Sequence, residues 1–437
     1  MADNPIEFVK SFEKKFKTHM DKPRMEFLVH FRPREFHYYI LIIAEIQANY
    51  RKKAPFDLMI RKFPMSHWHE SALELLKRFN KKREPSPEDS GIENGMSILK
   101  SICREFPEFF ADHLDQLFIA RIDFPGHLTT YMWQQFGMGY QDFLQLYVDT
   151  NGDDFGEQCR GLSFALITGI DKMERWAKDY IRNKLDIPNK KVGGVNLAQA
   201  MLNEYLQNQG LEWRGNDLHR LYPEYAYHIT FAYRYLHVDM NHDTFKKLDP
   251  LQGSFTFGGA MNAVNAEGRR TQVQHLICLD PIPKFLGIRG LHRLMIACDM
   301  DIVLHTAGAT YQQHKPNGSV TILGDNRTNL PGGPHYKQKT PYIKSTKVVL
   351  SNQGPAWYFQ RYGKAENYYR LGGPPTFIRG AYYPECCGCG RTMRFIMELD
   401  SHLPRTDDQP MEWGVDGMAY IYWCDNCSIS AIHWFTD

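Results

Sequence analysis

Charge of one sign, long apolar runs and catalytic signatures are all scarce in this chain. Lys+Arg number 52 against 50 Asp+Glu, a formal net charge of +2, which gives no global field to gather nucleic acid or an anionic membrane. The longest apolar run, Tyr38 to Ala44, is bounded by His37 and Glu45 and falls far short of the ~18 residues of a membrane span. The amino terminus, MADNPIEFVKSFEKKFK, has no basic stretch leading into an apolar one, so no secretory signal is read and a cytoplasmic location without membrane association is expected. G-x-S-x-G, the P-loop and G-x-G-x-x-G are absent, which removes the commonest signatures of hydrolase, nucleotide and dinucleotide sites. What is present is an ordinary globular composition, 43% hydrophobic and 23% charged, with 14% aromatics and nine cysteines in 437 residues. In a reducing compartment those cysteines read as metal ligands or small buried hydrophobes.

The first half reads as helical. Ser71 to Glu74 has the form of a capping box ahead of Leu75, Leu76 and Phe79, and Asp171 to Glu174 repeats it ahead of Met173, Trp176, Tyr180, Ile181 and Leu185. Asn196 and Gly210 bracket LAQAMLNEYLQNQ as N-cap and C′ glycine. Residues 1–210 are therefore expected to form a mostly helical domain, with an exposed loop at 77–91. Residues 1–100 carry 19 Lys+Arg against 14 Asp+Glu, a mildly basic surface that no clustering turns into a phosphate site.

From about 215 the texture changes to short β-like runs such as YAYHITFAYRYLHV, QHLICLD, RFIMELD and MAYIYWCD, separated by Gly, Pro and Asn. Helices first and strands later predict an α+β chain. Comparing 251–280 with 371–400 without gaps gives seven identities in thirty positions, ending in Leu279/Leu399 and Asp280/Asp400. With a six-residue insertion, Cys298-Asp299 then falls on Cys424-Asp425. The expectation is a duplicated β unit, lobes at 215–325 and 335–437.

Cys386-x-x-Cys389 and Cys424-x-x-Cys427 form the sharpest constellation. Each C-x-x-C turn presents two thiolates to one ion, two such turns complete a tetrahedral set, and Gly388 and Gly390 let the first turn tighten. A structural Zn2+ is the expected cofactor, with buried or redox cysteines as the alternative. Cys387 is expected to point away. In the first lobe the matched positions hold Ala266 and Arg269, and Cys298 reads as a relic of a lost site. Four thiolates leave no open position for substrate or water, so the ion is a clip rather than a reaction centre.

Seven acidic residues and one basic lie between Glu398 and Asn426, which argues against nucleic-acid binding by the zinc lobe. Asp407, Asp408, Glu412, Trp413 and Asp416 are the expected partner-binding residues, an acidic rim around aromatics suited to a cationic protein. The competing reading is that Trp413, Tyr420, Tyr422 and Trp423 pack a core. Asp149 to Asp153 begins like a calcium loop but lacks its sixth-position Gly and twelfth-position Glu, so a polar turn is expected. His67 and His69 are two apart, the wrong spacing for a helical metal pair.

The stretch LGGPPTFIRGAYYPECCGCGRTMRFIMELDS followed by WGVDGMAYIYWCDNC resembles the bacterial YwqG-like family, best over 371–437 and more weakly over 220–310. The resemblance implies a cytoplasmic β-rich protein with the zinc knuckles at Cys386, Cys389, Cys424 and Cys427. Some members of that family resemble immunity partners of polymorphic toxins. The expected function is thus a non-catalytic protein-binding protein, an immunity protein that neutralises a toxin or effector by direct binding. The alternatives are a hydrolase reversing a toxin's modification, with His228, His237, Asp239 and His242 as the first places to look, and a scaffold in a larger assembly.

Overall fold

In the computed structural model the described residues are 65–81, 99, 102–103, 106–122, 128–185, 191–192, 195–215, 217–231, 251–265, 268–298, 303, 308–323, 343–352, 369–377, 380–401, 403–404, 410–411, 413 and 417–435. Those up to Ile181 belong to one compact unit and those from Arg182 onward to another.

The first unit is helical: α1 (His69–Lys81), α2 (Leu114–Ile119), α3 (Leu128–Phe136), α4 (Gln141–Thr150), α5 (Phe155–Ile167) and α6 (Asp171–Asn183). On α6 Met173, Ala177, Tyr180 and Ile181 are buried, one face of the helix as the sequence spacing requires. The calcium-like stretch is a polar turn between α4 and α5, where Asp154 caps α5 by accepting from Glu157 N at 3.1 Å. α1 corrects the reading of its cap. Ala72 N donates to Trp68 O at 2.8 Å, so Ser71 lies inside the first turn rather than before it. Trp68 and Ser71 are both buried, and packing fixes the start of this helix where the capping pattern alone would place it later.

The second unit begins with α7 (Leu197–Gln207) and a hairpin, β1 (Leu211–Arg214) and β2 (Asp217–Arg220). The Asn203 carboxamide joins helix to hairpin, its Oδ1 accepting from Trp213 N at 2.7 Å and its Nδ2 donating to Trp213 O at 3.2 Å. These bonds hold α7 with the strands, so the compact helical unit ends near 181 rather than 210.

Twelve strands then share one sheet: β3 (Ala226–Phe231), β4 (Ser254–Phe257), β5 (Ala260–Val264), β6 (Arg270–Asp280), β7 (Leu294–Cys298), β8 (Thr310–His314), β9 (Val320–Leu323), β10 (Thr346–Asn352), β11 (Arg370–Gly372), β12 (Arg394–Asp400), β13 (Met418–Cys424) and β14 (Ile429–Phe435). Their order is β4-β10-β3-β11-β12-β13-β14-β8-β9-β5-β6-β7. A further β4–β6 pairing closes eleven of them into a barrel and leaves β7 on the free edge of β6. Alternate residues point inward, so Phe255, Phe257, Ile277, Leu279, Leu371, Met397, Leu399, Ala419, Ile421 and Trp423 fill the interior.

The strand ladders repeat along the chain. β6 pairs with β7 as Gln274↔Cys298, His275↔Ala297 and Ile277↔Ile296, and β12 pairs with β13 as Arg394↔Trp423, Phe395↔Tyr422 and Met397↔Ile421. Both ladders skip one residue at the same point, Leu276 and Ile396, and both skipped residues are buried. β4 enters β6 through Phe257↔Ile277 as β11 enters β12 through Leu371↔Met397, and each entry strand runs into a Gly-Gly pair at positive φ, Gly258-Gly259 and Gly372-Gly373. The two intervals also trade strands: β10 of the second pairs with β4 of the first, while β3 of the first pairs with β11 of the second. The twelve strands drawn from the two intervals consequently build one sheet.

This register revises the ungapped comparison. Leu279/Leu399 and Asp280/Asp400 are equivalent, but β4 matches β11 six residues earlier than the comparison placed it. Cys298 occupies the place of Trp423, not Cys424. A one-residue slip turns a strand side chain to the other face, so Cys298 packs in the barrel interior and is no relic of a ligand.

Candidate metal centre

The two C-x-x-C turns come together on the outer face of the barrel. The first follows an isolated bridge, Glu385↔Thr392, and closes by Cys389 N and Gly390 N donating to Cys386 O at 3.3 and 2.8 Å. The second connects β13 to β14. The sulfurs of Cys386, Cys389, Cys424 and Cys427 all lie within 4.8 Å of one another, and Cys389 Sγ stands 3.6 Å from Cys424 Sγ. Four sulfurs bound ~2.3 Å from one ion stand ~3.8 Å apart, so the set needs only slight contraction to take a tetrahedral metal. A Cβ at position 388 would meet Cys427 Sγ at 3.2 Å and Ile429 Cδ1 at 3.1 Å, so glycine lets the two turns approach without displacing either side chain. Cys387 is exposed and outside the cluster.

Neighbouring residues hold both turns in register. Arg394 makes a bidentate pair with Asp425, Nε to Oδ2 at 2.8 Å and Nη2 to Oδ1 at 2.9 Å. Arg391 Nη1 donates to the Asn426 carboxamide oxygen at 2.7 Å. From β8, Tyr311 OH donates to Glu385 O at 3.0 Å and Gln313 Nε2 to Cys427 O at 2.6 Å. Burial pushes the Cys424 thiol up to about 12 and the Cys427 thiol up to about 11, so binding a cation here would release protons from these thiols.

In the first interval the matching turn has no thiols. There Asn265 Oδ1 accepts from Arg269 N at 2.8 Å, and β5 runs beside β6 for five residue pairs, Ala260↔Gln274 to Val264↔Arg270. The second interval keeps one bridge, Glu385↔Thr392, in place of that ladder. Four thiols stand where backbone pairing holds the turn of the first interval.

The expected partner surface fares differently. Trp413 is completely buried in the barrel core, and Tyr420, Tyr422 and Trp423 are buried as well, so these aromatics pack the protein and offer no anchor to a partner. Asp407, Asp408, Glu412 and Asp416 lie outside the described residues, as do His237, Asp239 and His242. His228 is buried on β3.

His228 belongs to an arrangement that the sequence does not announce. Across five adjacent strands the ladders place His228↔Arg370, Arg370↔Glu398, Glu398↔Tyr420 and Tyr420↔His433 directly opposite one another, in one buried row. Arg370 Nη2 lies 2.7 Å from Glu398 Oε1, while Glu398 Oε2 accepts from Thr376 N and Thr376 Oγ1, each at 2.8 Å. Tyr420 OH donates to Thr376 O at 3.0 Å. The equivalent row sets Lys347 of β10 beside Thr256, Cys278 and Met295 of the first interval, with no carboxylate or guanidinium pair.

The buried imidazoles carry a pH dependence. Burial, aided by the Arg370 charge, holds His228 down to about 3, and burial holds His314, with Nε2 2.8 Å from Ser430 Oγ, down to about 4. Above pH ~6.5 neither state is protonated at these rings; below it the unfolded chain takes up protons the folded chain refuses. Stability is expected to fall as the pH drops from about 6.5 towards 4, and His314→Gln to flatten that slope. Urea midpoints at pH 7, 6 and 5 check it, and an unchanged midpoint would contradict it.

No helix among the described residues is long and apolar enough to cross a membrane. No protein-family model matches the chain, and no curated protein matches it at a significant level.

Proposed function

We propose that this chain is a non-catalytic protein-binding protein of the YwqG-like kind, held in shape by one structural Zn2+ and acting as an immunity protein that neutralises a toxin or effector. The observation that carries the reading is the ligand set. Four thiols converge with no histidine or carboxylate among them, the chemistry of a closed structural zinc site rather than of one that keeps a position for water. The replacement of a five-pair ladder by that cluster also supports a clip, since the ion then supplies the cross-link that backbone pairing supplies elsewhere. A duplicated β unit that has exchanged β3 and β10 fits the common bulge and the two Gly-Gly pairs.

Titrating the purified protein against the product of the adjacent gene, in cells and in vitro, is the direct test. Neutralisation is expected to saturate at one molecule per toxin. Rescue at far below stoichiometric amounts would replace this reading with the hydrolase, and a bound partner without relief of toxicity would replace it with the scaffold.

A further inference from the structure

Among the described residues of the helical unit, one helical face is left exposed. From Gly137 to Thr150 the chain is continuously helical, a short 3-10 stretch (Gly137–Tyr140) leading into α4. Leu144 and Val148 are buried on one side. Met138, Asp142, Leu146 and Asp149, spaced four, four and three apart, share the opposite side, and all four are exposed. Met138 is 78% exposed and Leu146 68%, the two highest values among the large apolar side chains described. A single exposed leucine needs no explanation, but two large apolar residues alternating with carboxylates along one stripe make a pattern.

The surrounding charge is one-sided. Among the described residues from 106 to 157 there are eight carboxylates and one basic side chain, Arg121, which is already paired with Glu157. Asp115 and Asp112 lie close enough to Tyr140 to add to the effect of burial in raising its hydroxyl pKa, which places them beside the start of the stripe. Asp149 acts in the same way on Tyr180 at the far end. The apolar positions therefore sit within a negative field although the whole chain is close to neutral.

We propose that this face, Met138–Asp142–Leu146–Asp149, is a docking site for a basic amphipathic helix of a partner protein. Apolar side chains at i and i+4 or i+7 of the incoming helix would cover Met138 and Leu146, while its flanking Lys and Arg would meet Asp142 and Asp149. Anionic membranes and nucleic acid are repelled by the same carboxylates. The site is separate from the cysteine cluster, and it stands or falls independently of the zinc and toxin readings.

The test uses the full chain and a fluorescent synthetic helix with Lys and Arg on one face and Leu on the other. Two control peptides carry the same Lys and Arg with Ser for Leu, or Glu for every Lys and Arg. Anisotropy titration should show binding of the first peptide only, weakened at least tenfold by Met138→Gln/Leu146→Gln and by Asp142→Lys/Asp149→Lys, and weakened by raising the salt from 0.05 to 0.5 M (about 14 to 4 Å of screening length). Both variants alter exposed side chains, so their thermal midpoints should match that of the parent. Equal binding of the Ser control would reduce the face to unspecific charge attraction and overturn the proposal. So would unchanged affinity in either double variant, or no binding at all.

Discussion

Cys424→Ser is expected to lose the metal and most of the stability of the β-rich unit. Cys424 is buried, belongs to β13 and faces the loop carrying Cys386, whereas the first interval's corresponding turn is secured by the β5–β6 ladder. Without an ion, the 386–391 turn would keep one bridge and a few side-chain bonds against the entropy of a loop of this length. Structural zinc sites in small modules are worth about 10–16 kcal/mol at neutral pH. If about 5 kcal/mol of that is expressed here, the thermal midpoint should drop by roughly 10–20 °C for a domain of this size. Elemental analysis should find about one zinc per wild-type chain and almost none in Cys424→Ser. Cys387→Ser, which removes the thiol outside the cluster, should keep both metal and midpoint. Chelation of the wild type should reproduce the Cys424→Ser midpoint, and hydrogen exchange should rise first around 385–392. A metal-free wild type of full stability would overturn the clip.

The contrast between what sequence spacing reveals and what it hides is clear at this site. C-x-x-C is a local turn, and its ligand geometry is written into four consecutive residues; two such turns need only a hairpin and a neighbouring loop to meet. Helices are legible for the same reason, since the stripe on α6 lies within thirteen residues. The strand half is legible as strands but not as a sheet. Pairing is set between residues that are far apart in the chain, and the exchange of β3 and β10 between intervals depends on closing the barrel. A slip of one position misassigned Cys298, because period-two side chains carry no mark of absolute register. Trp413 is hidden for a related reason: acidic neighbours in the chain imply exposure, but the ring goes into the barrel, where apolar strands such as β13 already exclude water. The row from His228 to His433 spans five strands, and only their registers bring its members together.

Within that row, breaking the Arg370–Glu398 pair should have the second large effect. Both side chains are almost completely inaccessible, and burial holds the Glu398 carboxyl above the usual carboxylate range even with Arg370 beside it. Each charge compensates the other's lost hydration. Arg370→Met would leave Glu398 with only the two Thr376 donors, and Glu398→Gln would leave the guanidinium with a neutral partner and the Pro374 carbonyl. Removing one member of such a pair costs about 3–5 kcal/mol, and removing both charges can be close to neutral. Arg370→Met is therefore expected to lower stability by roughly that amount, whereas Arg370→Met/Glu398→Gln, which keeps acceptors for Thr376, should recover most of it. The double-mutant cycle, measured by urea unfolding with zinc present, should give a coupling of at least about 2 kcal/mol. Additive losses would mean that the pair acts through packing alone. Recovery would instead show that the cost of each single variant is the uncompensated charge left on its directly opposite partner across the β11–β12 ladder.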